Sequence, residues 1–205
     1  MAKQPISVPY QSYDYLGQVA NEFLLKYDPA GNIPVPIEEI IDLKFEIDIV
    51  PTPGLHRGFD IDAFITSDLS CIYVDEFVYE SRPGRYRFSL AHEMAHLILH
   101  RSVYEQLEFM TIQEWKDVIT DLPPKEYLRL EWQANNFAGL LLVPRDALAQ
   151  RFERASGNLY KVGLTLETAS DAAQQMIHGA LAQEFVVSPQ VIEIRAEKDG
   201  LWRKD

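Results

Sequence analysis

Apolar residues recur at three- and four-residue spacing over most of the chain and at two-residue spacing in one early region. Leu16, Ala20, Phe23, Leu24 and Tyr27 form one stripe of a helix over Tyr13 to Tyr27, which Asp28-Pro29-Ala30-Gly31-Asn32 ends. Pro36 opens a short helix, Ile37 to Leu43, with proline at its first turn. From Phe45 to Val50 the period changes. Phe45, Ile47 and Ile49 alternate with Glu46 and Asp48, the pattern of a half-buried strand, and Pro51-Thr52-Pro53-Gly54 stops it. Gly58 to Thr66 predicts a second strand, Ser67-Asp68-Leu69-Ser70 a turn and Cys71 to Val74 a third strand. Phe77 to Tyr79 reads as irregular or as part of a fourth strand, and Arg82-Pro83-Gly84 breaks the pattern before a helix over Arg85 to His100.

Residues 101 to 123 carry a weaker pattern, in which Ile112, Trp115, Val118 and Ile119 fit a short amphipathic helix. Leu122-Pro123-Pro124 ends it and starts a helix from about Lys125 to Leu142; Pro144 stops that one and starts Arg145 to Arg154. Ser156-Gly157-Asn158 predicts a loop, and Glu167 to Phe185 a further helix. Ser188 caps a last helix with Pro189 at its first position and Gly200 just past its end. The pattern thus defines an α+β chain, mainly helical, with a small, mostly antiparallel three-stranded sheet beside the helix over Arg85 to His100. No repeat, low-complexity segment or linker interrupts it, so one domain over 1–205 is expected, with a helical C-terminal portion from about residue 145.

Composition narrows the classes of function. A net charge of −12 argues against direct nucleic-acid binding, which normally shows a basic footprint. Cys71 is the one cysteine, so no intramolecular disulfide can form, which suits a reducing compartment. Met1-Ala2-Lys3-Gln4-Pro5 has no apolar core of a signal peptide, and the longest apolar runs, such as Leu140 to Val143, are too short to span a bilayer. A cytoplasmic location, away from membranes, is the expectation.

Candidate chemistry concentrates in Ala91-His92-Glu93-Met94-Ala95-His96-Leu97. Two histidines four apart share one helix face, one turn above each other, so both imidazoles can reach a single ion. Glu93, beside the first, is placed to take a proton from a water on that ion. The bland alternative is a pair of surface histidines. Against it, Phe88, Leu90, Ala91, Met94, Ala95, Leu97, Ile98 and Leu99 make the segment apolar nearly all round, and a helix of that kind is buried. Buried His and Glu side chains need partners, and a metal ion is one.

A catalytic zinc site takes three protein ligands and leaves a fourth position open. His100 lies about 12 Å along the axis from His92 at the α-helical rise, too far for one ion to be shared over three turns, and reads as a polar helix end. Glu131 fits better. It falls inside the apolar stripe of Tyr127, Leu130, Ala134, Phe137, Ala138 and Leu141, where small alanines let its helix lie close to the histidine helix. The alternative is a carboxylate at the stripe's edge paired with an arginine. Asn135, one turn on, can bond the second nitrogen of a ligand histidine or be an exposed amide. Glu114, Asp121 and Glu126 read as solvated charges, His56 as a loop residue that could line a cleft, and His178 as packing. Tyr73 and Asp75 end a strand and have core and turn readings. Tyr73, His56 and His178 stay unranked as helpers of a hydrolytic transition state.

The stretch Arg87-Phe88-Ser89-Leu90-Ala91-His92-Glu93-Met94-Ala95-His96-Leu97-Ile98-Leu99-His100 resembles the hallmark of the ImmA/IrrE family of metallopeptidases. So does Glu131-Trp132-Gln133-Ala134-Asn135-Asn136-Phe137-Ala138 with Leu141-Leu142-Val143-Pro144, and Leu181-Ala182-Gln183-Glu184-Phe185-Val186-Val187-Ser188 resembles its C-terminal signature. The resemblance implies a zincin-like site with His92, His96 and Glu131 as metal ligands and Glu93 as catalytic base. It implies zinc as cofactor, with manganese not excluded by a His-His-Glu donor set. It further implies a cytoplasmic endopeptidase that cleaves a helix-turn-helix repressor or antitoxin and so controls genes of stress response or mobile elements. The competing reading keeps the metal site but acts by sequestering such a partner without cutting it. The segment between His96 and Glu131 is longer than the family pattern, so an inserted lid or partner surface is expected there, and no separate DNA-binding or sensor domain is evident.

Overall fold

The computed structural model describes residues 6–161, 163, 165 and 169–202. Helix α1 spans Tyr13–Tyr27, capped by the Ser12 hydroxyl, which accepts the Tyr15 N–H. Helix α2 (Ile37–Ile40) runs on through a π-helical turn, Ile41–Phe45. The region of period two that follows holds strand β1 (Asp48–Thr52), the helical turn α3 (Leu55–Phe59), β2 (Ala63–Ile65) and β3 (Cys71–Asp75). Helices α4 (Glu76–Ser81), α5 (Pro83–Leu99) and α6 (Arg101–Tyr104) come next. The chain then forms α7 (Ile112–Asp121), α8 (Pro124–Leu142), α9 (Arg145–Lys161), α10 (Asp171–Phe185) and α11 (Pro189–Lys198).

The sheet order is β1-β3-β2, with β1 parallel and β2 antiparallel to β3. It is therefore mixed: one of its two pairings is parallel, because the chain leaves β1, makes α3 and β2, and returns with β3 in the middle. The first strand starts at Asp48, not Phe45. Phe45 ends the π-helical turn and packs its ring with Phe23 and Tyr27 of α1, with centroids 5.9 and 5.0 Å away. The strand runs on through Pro51, which an edge strand tolerates because it needs no second set of N–H partners. The predicted strand over Gly58 to Thr66 is shorter at its front, where Gly54 (φ 79°) starts a helical turn instead. Phe77 to Tyr79 lies in α4, not in a strand. The Asp75 carboxylate accepts the Phe77 and Val78 N–H groups and so caps that helix. Ser156-Gly157-Asn158 continues α9 and is not a loop, and the predicted helix start at Glu167 lies outside the described residues.

The most extensive helix contact among these elements is between α5 and α8. Leu90, Ala91, Met94 and Ala95 of α5 and Leu130, Ala134, Phe137, Ala138 and Leu141 of α8 are all buried in the core. Alanines at 91, 95, 134 and 138 keep the two backbones close, while Met94, Phe137 and the leucines supply roughly 1.5–3 kcal/mol each in burial. A second tie closes the C-terminal helix over α1. The buried Arg195 donates to the Tyr13 hydroxyl (2.8 Å) and to Asp199 (2.6 Å).

Ala134→Leu adds volume where the α5–α8 seam has none to give. It is expected to destabilise the fold by about 1–3 kcal/mol, read as a lower midpoint in denaturant unfolding; an unchanged midpoint would refute the close seam.

Candidate metal centre

Helix geometry brings His92 and His96 together on one face of α5, with their Nε2 atoms 3.1 Å apart. The seam with α8 brings in Glu131. Its Oε2 lies 3.3 Å from His92 Nε2 and its Oε1 3.8 Å from His96 Nε2. The three groups offer donor atoms all within 4.8 Å of one another, and the cluster could hold a metal ion. Ligands at zinc distances in a tetrahedral site stand roughly 3.3–3.4 Å apart, so the observed spacings bracket that value. Glu131 pairs with the imidazoles, not with an arginine, which removes the bland alternative for this residue.

The remaining ring nitrogens test the fit. His92 Nδ1 lies 3.2 Å from Asn135 Oδ1, and His96 Nδ1 3.1 Å from His100 Nδ1. A hydrogen on each Nδ1 satisfies both contacts and leaves both Nε2 lone pairs aimed into the cluster. Two lone pairs facing each other at 3.1 Å call for a cation or a proton between them. Two neutral imidazoles and one carboxylate are a donor set that suits zinc.

Glu93 sits one residue beyond His92 and is 5 % exposed. Its Oε2 accepts the Ile65 backbone N–H at 2.9 Å, from the edge of β2 that faces away from β3. Burial raises its pKa; the charge of His92 and the Ile65 N–H pull it down and the charge of Glu131 pushes it up, for a net value of about 7. Burial works against the charged form of His92, but Glu131, Glu93 and Asn135 outweigh it and hold that imidazole up at about 9. Burial, with the neighbouring His92 and His100, drives His96 well below the usual histidine range.

His92, Glu93 and Glu131 floor a cleft of about 310 Å³ whose rim includes Asp62, Ala63 and Arg85. Asp62, Arg85, Phe88 and Asn135 also line a larger cavity of about 600 Å³ that runs on between α5, α8 and α11, walled by Trp132, Val191 and Ile194.

The other singled-out residues sort clearly. Asn135 is exposed, yet it bonds His92. His100 stays out of the ligand cluster and is the polar end of α5, where it is fully buried. His56 turns to Asp62 at 3.2 Å, Tyr73 stacks on Phe64, and His178 packs between Phe152 and Trp202; none of the three lines the cleft. Glu126 is not a free solvated charge, since it accepts the Val8 N–H at 2.7 Å. Glu114 is exposed and closes a capping box with Thr111 at the start of α7. Sequence reasoning missed Tyr104, whose buried ring lies 5.3 Å from His96, and Ile65, whose contribution is a backbone N–H that no side-chain pattern reveals.

A mainly helical fold with a small mixed sheet, and a His-Glu-x-x-His helix whose two imidazoles meet a carboxylate from a second helix, defines a zincin-like class of protein with a cluster that could hold a metal ion. The chain belongs to the Peptidase M78 family: the model of the IrrE N-terminal-like domain matches residues 45–197. Membership and the His-His-Glu cluster together point to a metallopeptidase. Among solved structures, a Mycobacterium tuberculosis transcriptional regulator shares the fold, with a TM-score of 0.56 and 16% identity over 89% of this chain and 55% of that one. The present chain thus spans about half the length of that regulator. No curated protein matches. Among the described residues, no helix is long and apolar enough to cross a membrane.

Because His92 titrates near 9 in the metal-free protein, it holds a proton at about pH 7 that an ion must displace. Zinc addition is expected to release about one proton per ion at that pH, and apparent affinity to fall roughly tenfold per unit as pH drops below 9. Calorimetry in buffers of different ionisation enthalpy measures this; zinc uptake with no proton release would contradict it.

Proposed function

We propose that this protein is a zinc-dependent endopeptidase whose substrate is a helix-turn-helix repressor or antitoxin. The observation that carries the hydrolytic part is Glu93: a buried carboxylate, beside three converging metal donors, at the floor of a cleft bordered by a strand edge. A site built only to bind a partner has no use for a buried base next to the metal donors. His92, His96 and Glu131 would hold the ion. A zinc ion there supplies polarisation of the scissile carbonyl and acidifies a water; manganese could serve the same donors.

The residues of the chain do the rest. Asp62 accepts from Asp75 N–H and Thr66 donates to Cys71, so by strand alternation Ala63 and Ile65 turn their backbone groups toward the cleft. Ile65 uses its N–H to orient Glu93. Ala63 offers the edge to which an extended peptide can pair by strand addition. Glu93 takes a proton from the attacking water as its oxygen bonds to the peptide carbon. It then delivers that proton to the amine nitrogen as the C–N bond breaks. The same carboxyl thus takes and returns one proton within a single turnover. The cavity beyond Phe88 has room for a substrate side chain next to the scissile bond.

The regulatory part of the reading rests on the family and on the fold shared with a transcriptional regulator. The net charge of −12 keeps the expected partner a protein and not nucleic acid, and the reducing cytoplasm remains the expected location.

Glu93→Gln keeps an acceptor for the Ile65 N–H but removes the base. It is expected to bind zinc as the unmodified protein does and to lose cleavage by about 10²–10⁴-fold; retained cleavage would remove the mechanism. Incubation of the zinc-loaded protein with a helix-turn-helix repressor encoded beside it is expected to give discrete fragments on a gel. A stable stoichiometric complex with no fragments would replace the peptidase reading with sequestration.

A further inference from the structure

Behind the metal cluster lies a chain of buried polar groups that peptide hydrolysis does not use. His100 closes α5 and is 0% exposed; its Nδ1 lies 3.1 Å from His96 Nδ1 and its Nε2 2.9 Å from Gln133 Oε1. Gln133, also fully buried, donates through Nε2 to the Pro9 carbonyl at 2.8 Å. Pro9 belongs to a segment strapped along one face of α8. Glu126 accepts the Val8 N–H at 2.7 Å, Arg129 donates to the Val8 carbonyl at 2.6 Å, and Tyr10 stacks on Trp132. Four residues of one helix thus seat three residues that lie far away in sequence.

Only one assignment of hydrogens satisfies this chain, and it can be read from its far end. The Pro9 carbonyl can only accept, so the Gln133 amide nitrogen faces it and the amide oxygen faces His100. That oxygen can only accept, so His100 carries its hydrogen on Nε2. A neutral imidazole then has a bare Nδ1, which accepts, so the hydrogen between the two rings sits on His96 Nδ1. His96 Nε2 is left as a lone pair aimed at His92 and Glu131. With the opposite order His96 would carry its hydrogen on Nε2 and could not ligate.

We propose that His100 and Gln133 are positioning residues that carry the seating of segment 8–10 to His96 and hold it in the one tautomer able to bind a metal. Docking of that segment is then part of building the metal centre, although none of its residues belongs to the His92, His96 and Glu131 cluster. The inference rests on the reading of His92, His96 and Glu131 as a metal site.

Two measurements test it, nitrogen NMR of the His96 ring in the metal-free protein and zinc affinity by chelator competition. In the unmodified protein His96 is expected as the Nδ1–H tautomer. His100→Leu should shift it to Nε2–H and weaken zinc binding by roughly 10- to 100-fold. His100→Gln should restore both, because its amide oxygen can accept from His96 and its nitrogen can donate to Gln133. Gln133→Met, close in volume, leaves the His100 ring without direction and should give a mixed His96 tautomer with zinc binding weakened about tenfold. It serves as the decisive variant if His100→Leu does not fold. A folded His100→Leu or Gln133→Met protein with the wild-type tautomer and affinity would overturn the relay. If the unmodified protein binds no zinc, the metal reading fails, while the tautomer spectra still decide the relay.

Discussion

The site depends on how closely α8 can lie against α5. Two imidazoles a turn apart on one helix are an incomplete set of ligands, and the missing donor is a carboxylate on a different helix. Glu131 reaches both rings because alanines at 91, 95, 134 and 138 leave little side chain between the backbones. The same seam buries Leu90, Met94, Phe137 and Leu141, so the interaction that holds the protein together also sets the spacing of the donors. Packing density allows little adjustment there, since a core gives way by fractions of an ångström at a real cost in stability.

Burial then sorts titratable groups that would be alike in water. His92, paired with Glu131 and next to Glu93, is held cationic without a metal, and His96, deeply buried and flanked by the His92 and His100 rings, is held neutral. Glu93 is lifted to about 7 mainly by loss of solvent, and a single backbone N–H from β2 keeps it oriented. The sheet is small, but it does two jobs. It anchors that N–H, and it turns the other backbone groups of the same edge toward the cleft.

The polar chain from His96 to Pro9 gives the beginning of the described structure a place in the centre's chemistry. His100 lies too far along α5 to share an ion with His92, yet burial makes its two nitrogens count. One accepts from a ligand ring, and the other must find Gln133. Arg195 makes a similar tie elsewhere, as one buried cation joins α11 to α1 by donating to the Tyr13 hydroxyl and to Asp199.

What the amino-acid order determined by itself is what neighbours in the chain decide together. The period of 3.6 residues placed His92 above His96 and put Glu131 inside an apolar stripe, and Ser188 with the prolines at 36, 124, 144 and 189 marked helix starts that the structure retains. Local pattern misled where helical turns leave apolar residues exposed. Phe77 and Tyr79 are 57% and 42% exposed on α4, so they carry no stripe, and the cap that makes the helix comes from Asp75 outside it. The mixed pairing of β1, β3 and β2, the Ile65 N–H on Glu93 and the His100–Gln133–Pro9 chain were decided only in three dimensions. Each joins residues 28 to 124 positions apart or settles which of two strand directions pairs. Contacts of that kind follow from which faces the packed helices leave to meet, and no periodicity of one segment contains that information.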